Sequence, residues 1–307
     1  MTLVATHGYR SVVPTEKKPI PPNTEWPADK IREVAANSGK PLEVECARAF
    51  MAGGWTTRLG WYFEDGARTR ELDVLATKVS GPPTMPWKIR ALISCKGFPA
   101  EKSPMTYSVS RQALKGYDPM LLAQYRLPGG RRIPGGDQFG RLEEIEYNSG
   151  GILSVSHTLK DCRPFVAFDT LERKCVARGK TEDIEFKRCG DLDLFEGADS
   201  ALKAAFDAQF RDMQSGAPFA TLSIPILILS KPFWDTCIDG GRVDTPVLQG
   251  ASYQSNSYPL PLGHSRSVMT LIWSKQNIEG LVALLNEELA AWFDLEMELL
   301  LNGSVRG

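Results

Sequence analysis

Five side chains in the first third of the chain have the types that phosphoryl chemistry uses: Glu43, Glu71, Asp73, Ser94 and Lys96. Carboxylate oxygens are the ligands that a small hard dication takes. An ammonium on a flexible stem can position a water or meet negative charge as it develops. Four of the five lie in two short apolar segments, Arg70-Glu71-Leu72-Asp73-Val74-Leu75-Ala76 and Ile89-Arg90-Ala91-Leu92-Ile93-Ser94-Cys95-Lys96. Charged groups where a buried strand should carry none are the footprint of a metal-dependent phosphodiesterase site.

The elements that must position these groups follow from periodicity. Side chains alternate along a strand, so the first segment is expected to place Leu72 and Val74 on one face and Glu71, Asp73 and Leu75 on the other. The second separates Ala91, Ile93 and Cys95 from Leu92, Ser94 and Lys96, and Lys96 ends it. Cys95 reads as a small core residue whose backbone carbonyl could still reach a metal. Upstream, residues 41–54 read as an amphipathic helix with Leu42, Cys46, Ala49 and Phe50 on one stripe, Pro41 in the first turn and Gly53-Gly54 as the stop. Glu43 and Glu45 lie early in it, Glu45 as a solvated helix charge. Residues 55–63 read as a strand, and Glu64-Asp65-Gly66 as the hairpin turn that follows.

This order, a helix with Glu43, a strand, a strand with Asp73 and a strand ending in Ser94-Cys95-Lys96, resembles the PD-(D/E)xK nuclease superfamily, the fold of many restriction endonucleases. The resemblance covers residues 41–97. It implies an α/β fold with a restriction-endonuclease-like αβββαβ core, a mixed central sheet flanked by helices, and here a large insertion or extension. It further implies Mg2+-dependent hydrolysis of a DNA phosphodiester, with Mn2+ able to substitute. Asp73, Lys96 and Glu43 would be catalytic, and Asp73, Glu43, Glu71, Ser94 and the carbonyl of Cys95 would surround the metal. Ser94 stands where the family usually has Asp or Glu. A neutral hydroxyl is a poorer ligand for a hard dication, so Glu71 or Glu43 would have to supply the missing charge.

Composition bounds the rest. The 307 residues are 42% hydrophobic, enough for a sizeable core, and the formal net charge is -1, so any contact with nucleic acid must be a local patch. Six cysteines, without a CxxC pair or clustered histidines, argue against structural zinc and fit free thiols in a reducing, cytoplasmic setting. Residues 1–11 lack the apolar core of a signal peptide, and no apolar run reaches the length of a membrane span.

Residues 1–27 are rich in proline and read as an extended arm; residues 28–97 form the first part of the core. A short helix is expected over 29–37 with Ile31, Val34 and Ala35 inward. Residues 98–197 read as the insertion, with a helix over 110–127, a loop carrying Arg131 and Arg132, and short strands at 152–157, 164–169, 175–177 and 184–187. The paired arginines could touch phosphate, although a solvated loop is the commoner outcome. Residues 198–307 then complete the core, with a helix over 199–214, a buried strand Ile224-Pro225-Ile226-Leu227-Ile228-Leu229 with Pro225 near its start, strands at 243–247 and 268–273, and a long helix over 275–301. That helix carries Leu281, Leu284, Leu285, Leu289, Trp292, Phe293 and Met297, a stripe for the core or, in its last turns, for a partner subunit; the arm offers a second such surface.

Gly179-Lys180-Thr181 mimics the end of a phosphate-binding loop, but Lys174 holds the place of its first glycine, and His7, His157 and His264 stand alone. Two other readings stay open: a nucleic-acid-binding module that has lost catalysis through Ser94, and an assembly protein on the same fold.

Overall fold

The computed structural model describes residues 27–37, 39–66, 68–84, 86–108, 120–126, 143–146, 163–178, 181–190, 192–214, 219–238, 240–247, 249–254 and 268–301. Helices α1 (Ala28–Asn37) and α2 (Lys40–Ala52) precede strands β1 (Thr56–Asp65), β2 (Arg68–Ser80) and β3 (Trp87–Lys96). Five more strands follow: β4 (Lys102–Ser108), β5 (Met120–Arg126), β6 (Glu143–Glu146), β7 (Arg163–Arg178) and β8 (Thr181–Arg188). Helix α3 (Leu192–Gln214) leads into β9 (Phe219–Leu229). Then come β10 (Phe233–Cys237), β11 (Arg242–Val247), β12 (Gln249–Gln254) and β13 (Val268–Ser274). A 3-10 turn, Lys275–Asn277, opens α4 (Ile278–Leu284), which continues through a π-helical segment, Leu285–Ala290, into α5 (Ala291–Leu301).

The fold is α/β: mixed β structure with helices on both faces. β1, β2 and β3 pair antiparallel in sequence order, and β3 then pairs parallel with β9, from Trp87 opposite Ala220 to Lys96 opposite Leu229. A parallel pair needs a crossover, and α3 is the helix of that crossover. On one face α2, α4 and α5 bury Val74, Ile89, Ile93, Ile224, Ile228 and Trp273; on the other α3 sets Leu194, Ala198, Leu202 and Ala205 against Leu92, Leu227 and Leu229. β9 is covered on both sides, which is why it reads as a continuous apolar run. Each fully buried Leu or Ile contributes about 2 kcal/mol relative to exposure. The stripe from Leu281 to Met297 lies in this core; the side chains of the last leucines, 299–301, lie outside what the structure describes.

Pro225 sits in the middle of β9, not near its start, because the strand begins at Phe219. Its missing N–H is tolerated by the change of neighbours there. β5 pairs antiparallel with β9 as far as Ser223, and β13 takes over in parallel from Ile226, so Pro225 falls in the gap.

Beyond β13 the pairing continues through β12, β7, β4, β10 and β11, with β8 on β7. Residues 233–254, expected to complete the core, do so only through β12, which lies along β13; β10 and β11 pair with each other, and β10 and β12 also pair with β4 and β7. The division expected at residue 197 lies inside α3. The segments at 164–169 and 175–177 are one strand, β7, and the polar β12 carries no apolar period by which to see it. The helix expected over 110–127 is overturned where it is described: Met120–Arg126 is a strand held between β9 and β6. Its apolar residues suit either period, and cross-strand pairing decides. In α1, Ile31 and Ala35 are exposed, not inward. The strand expected at 152–157, Arg131, Arg132 and the arm up to residue 26 lie outside the described residues. No helix among the described residues is long and apolar enough to cross a membrane.

Candidate active site

Asp73 owes its position to the end of a ladder. β2 and β3 pair from Ser80 opposite Trp87 to Val74 opposite Ile93 and then part, leaving Asp73 as the first residue beyond. Across β1, Leu59 faces Val74 and Trp61 faces Leu72, while Gly60 between them has a left-handed φ of 62°. The alternation expected from sequence breaks there. Leu72 packs with Leu92 and α3, whereas Val74 packs with α2 on the other face. The positive φ favours glycine at position 60, and a Cβ there would displace the Glu71 carboxylate, whose Oε1 would lie 2.9 Å away.

The parting of the strands turns Asp73 toward β3. Its Oδ2 accepts the Cys95 backbone N–H at 2.6 Å and the Ser94 hydroxyl at 3.3 Å. An extended residue directs its N–H and C=O to the same edge, so the Cys95 carbonyl faces the Asp73 side as well.

Glu43 arrives from the first turn of α2. Its side chain is only 8% exposed and accepts a hydrogen bond from Lys40 Nζ at 2.9 Å; the same ammonium reaches Glu71 Oε1 at 3.5 Å. Burial holds the Glu43 carboxyl above its ordinary value despite Lys40, and the negative charges of Asp73 and Glu71 add to the rise. Lys40 is raised in turn, foremost by its bond to Glu43. Beneath the carboxylates the Cys95 thiol contacts Cys46, and this bond, with burial, pushes it well above its usual range. Both thiols are free and buried.

Lys96 closes β3 half-buried. Its stem lies along α3, where a Cβ on Gly197 would stand 2.9 Å from Lys96 Cε and 2.8 Å from Leu227 Cδ1. Gly197 thus lets the helix approach closely enough to line the lysine. The Lys96 ammonium makes no hydrogen bond or ion pair among the described residues.

The structure therefore joins Asp73, Ser94 and Cys95 by direct hydrogen bonds, and Glu43 and Glu71 through Lys40. Glu45 stands apart in an ion pair with Lys275 at 3.1 Å. Lys40 escaped the sequence reading, although its place three residues before Glu43 in one helix was the signal for it. Among the described residues no three His, Cys, Asp or Glu side chains close on one point as metal ligands. The donor chemistry nevertheless fits a hard dication: Glu43 and Glu71 already converge on one cation, the Lys40 ammonium, and Asp73 lies near enough to Glu43 to raise its pKa. Comparison of the chain with protein-family models, with curated proteins and with solved structures returns no match.

Proposed function

We propose that the chain is a Mg2+- or Mn2+-dependent nuclease that hydrolyses a DNA phosphodiester on a restriction-endonuclease-like core of the PD-(D/E)xK kind. The observation that carries this reading is that Glu43 and Glu71 share one ammonium, Lys40, with Asp73 near Glu43 where β2 leaves β3, and that the Lys96 ammonium at the end of β3 has no hydrogen bond or ion pair among the described residues. The succession α2, β1, β2, β3, α3, β9, with β9 parallel to β3, supports it as an αβββαβ order.

Asp73, with Glu43 or Glu71, would hold the cation, with Ser94 Oγ and the Cys95 carbonyl beside it. Such an ion would supply charge neutralisation at the phosphate and a more acidic water. Lys96 orients the attacking water and stabilises the charge that develops on the phosphoryl oxygens. The Cys95 N–H and the Ser94 hydroxyl hold Asp73 in one rotamer, so the carboxylate is set before substrate arrives. The free thiols Cys46 and Cys95 support a reducing, cytoplasmic setting.

Mn2+-dependent cleavage of plasmid DNA, lost in Asp73→Asn, is the test; absence of cleavage across divalent cations and DNA forms would refute the reading. One observation favours a second reading. Ser94 brings no charge and donates to Asp73, as expected of a site that binds nucleic acid without cutting it. A gel shift without cleavage would support that binding module.

A further inference from the structure

A cavity of about 430 Å3 lies outside the candidate active site, on the unit built from β4, β7, β8 and β10. That volume falls within the range of small-ligand pockets. Its lining combines two aromatic rings, Trp234 and Phe186, with three cations, Lys102, Arg173 and Lys231, and one carboxylate, Glu101. Phe186 is 72% and Trp234 39% exposed, unusual for rings of this size. Arg173 and Phe186 are register partners across β7 and β8, so a cation stands beside an open ring face. Glu172 and Lys174, which flank Arg173, are paired with each other at 3.0 Å.

Lys231 shapes the rim. Its ammonium donates to the backbone carbonyls of Pro99, Ala100 and Lys102, fixing the turn that leads from β3 into β4. The cavity is tied to the end of the Lys96 strand through the neighbouring residue: Ser230 N–H donates to the Lys96 carbonyl at 3.0 Å, and Ser230 Oγ accepts the Phe98 N–H at 2.8 Å. Lys96 pairs with Leu229, and Lys231 lies two residues further on, which puts the Lys96 and Lys231 Cα atoms within about 12 Å.

Open aromatic faces beside an excess of cations match a ligand that is both planar and anionic. We infer that this cavity seats one nucleotide unit, its base against Trp234 and Phe186 and its phosphate against Arg173 and Lys102. Stacking on aromatic faces serves any base, while the cations track the phosphate, the combination found where single strands are held without sequence preference. The inference rests on the nuclease reading for the ligand's identity, and deepens it by assigning the extension a hold on the strand beside the cut.

The experiment is fluorescence anisotropy of the full chain with a fluorescein-labelled single-stranded oligothymidylate in EDTA, where nothing is cleaved. Trp234→Ala, Phe186→Ala and Arg173→Ala should each weaken binding about tenfold, and Trp234→Phe should restore most of the loss, with melting curves close to wild type. Competition by dTMP as strong as by the oligonucleotide assigns the site to a free nucleotide, and competition by the oligonucleotide alone to a strand; both carry the inference. Affinity unchanged in Phe186→Ala and Arg173→Ala overturns it, as does loss of self-association in those variants with oligonucleotide binding intact. Cleavage with Mn2+ is scored separately. A wild type that cuts while these variants bind normally leaves the nuclease reading standing without the subsite, and a wild type that binds through Trp234 but never cuts does the reverse.

Discussion

Buried acids occur in two regions of the molecule, and they are treated differently. In the β4–β7–β10 unit, Asp169 is fully buried and accepts from the Thr170 N–H at 2.9 Å, the Gly190 N–H at 3.2 Å and the Tyr107 hydroxyl at 3.4 Å, besides pairing with Arg188. Asp235, also fully buried, accepts from Thr106 at 3.1 Å and Ser108 at 2.7 Å. At the end of β2 and β3, by contrast, buried Glu43 has one partner among the described residues, Lys40, and shares it with Glu71. A buried carboxylate needs donors for its lone pairs. Asp169 has its full complement and serves the fold; Glu43 and its neighbours keep acceptor capacity unspent. Burial alone does not set a region apart; at the end of β2 and β3 the difference is that two carboxylates share one ammonium with a third acid near them.

The strongest way to break the comparison is Lys96→Ala. The Lys96 ammonium has no hydrogen bond or ion pair among the described residues, so its loss should lower cleavage about 100-fold or more, on the order of an oxyanion-stabilising donor, and leave the melting temperature near wild type. Cleavage at the wild-type rate would remove Lys96 from the chemistry. Next comes Asp169→Asn, which should cost about 2 kcal/mol in urea unfolding because several bonds to a charged acceptor weaken together. A smaller loss than that of Asp73→Asn would invert the contrast.

Asp73→Asn should act in the opposite sense. With metal absent, removing one of several like charges relieves about 1 kcal/mol, so the EDTA melting temperature should rise slightly, while the rise that Mn2+ gives the wild type should vanish. Destabilisation with a retained Mn2+ shift would make Asp73 structural.

The smallest effect expected is on pH dependence. The folded-state value of Glu43 is raised above the unfolded one, so folding favours its protonated form. Its contribution is present below the ordinary glutamate value and is lost as pH rises through the raised folded value. Urea unfolding in EDTA across that window should show a decline for wild type that Glu43→Gln flattens; equal slopes would mean that Glu43 titrates as it does in the unfolded chain.

Much of the core was legible because its signals are local. Alternation marked β2 and β3, the stripe through Leu42, Cys46 and Phe50 marked α2, and the Ile224-to-Leu229 run marked the doubly covered strand. The extension was less so: Met120–Arg126 is settled by pairing with β9, and the strands at 233–254 by pairing with β4, β7 and β13, none of which a local window sees. At the site, Asp73, Glu43 and Lys96 stood out by type and place. The face change at Gly60 did not, because one positive φ overrides a two-residue period without altering composition. Lys40 did not either, because the expected helix began one residue later, at Pro41.

The pairing of Lys96 with Leu229 also has a kinetic side. It joins strands with β4 to β8 and α3 between them in the chain, a contact of high order whose loop-closure cost must be met before the pairing is rewarded. During synthesis the β1–β2–β3 meander can form early, but β3 then presents an open apolar edge until β9 emerges and α3 docks. Such an edge is a template for pairing with other chains. The strand that carries Lys96 is thus the exposed margin of a half-made sheet from the completion of β3 until β9 is made, and that end of the molecule is completed only with the last third of the chain.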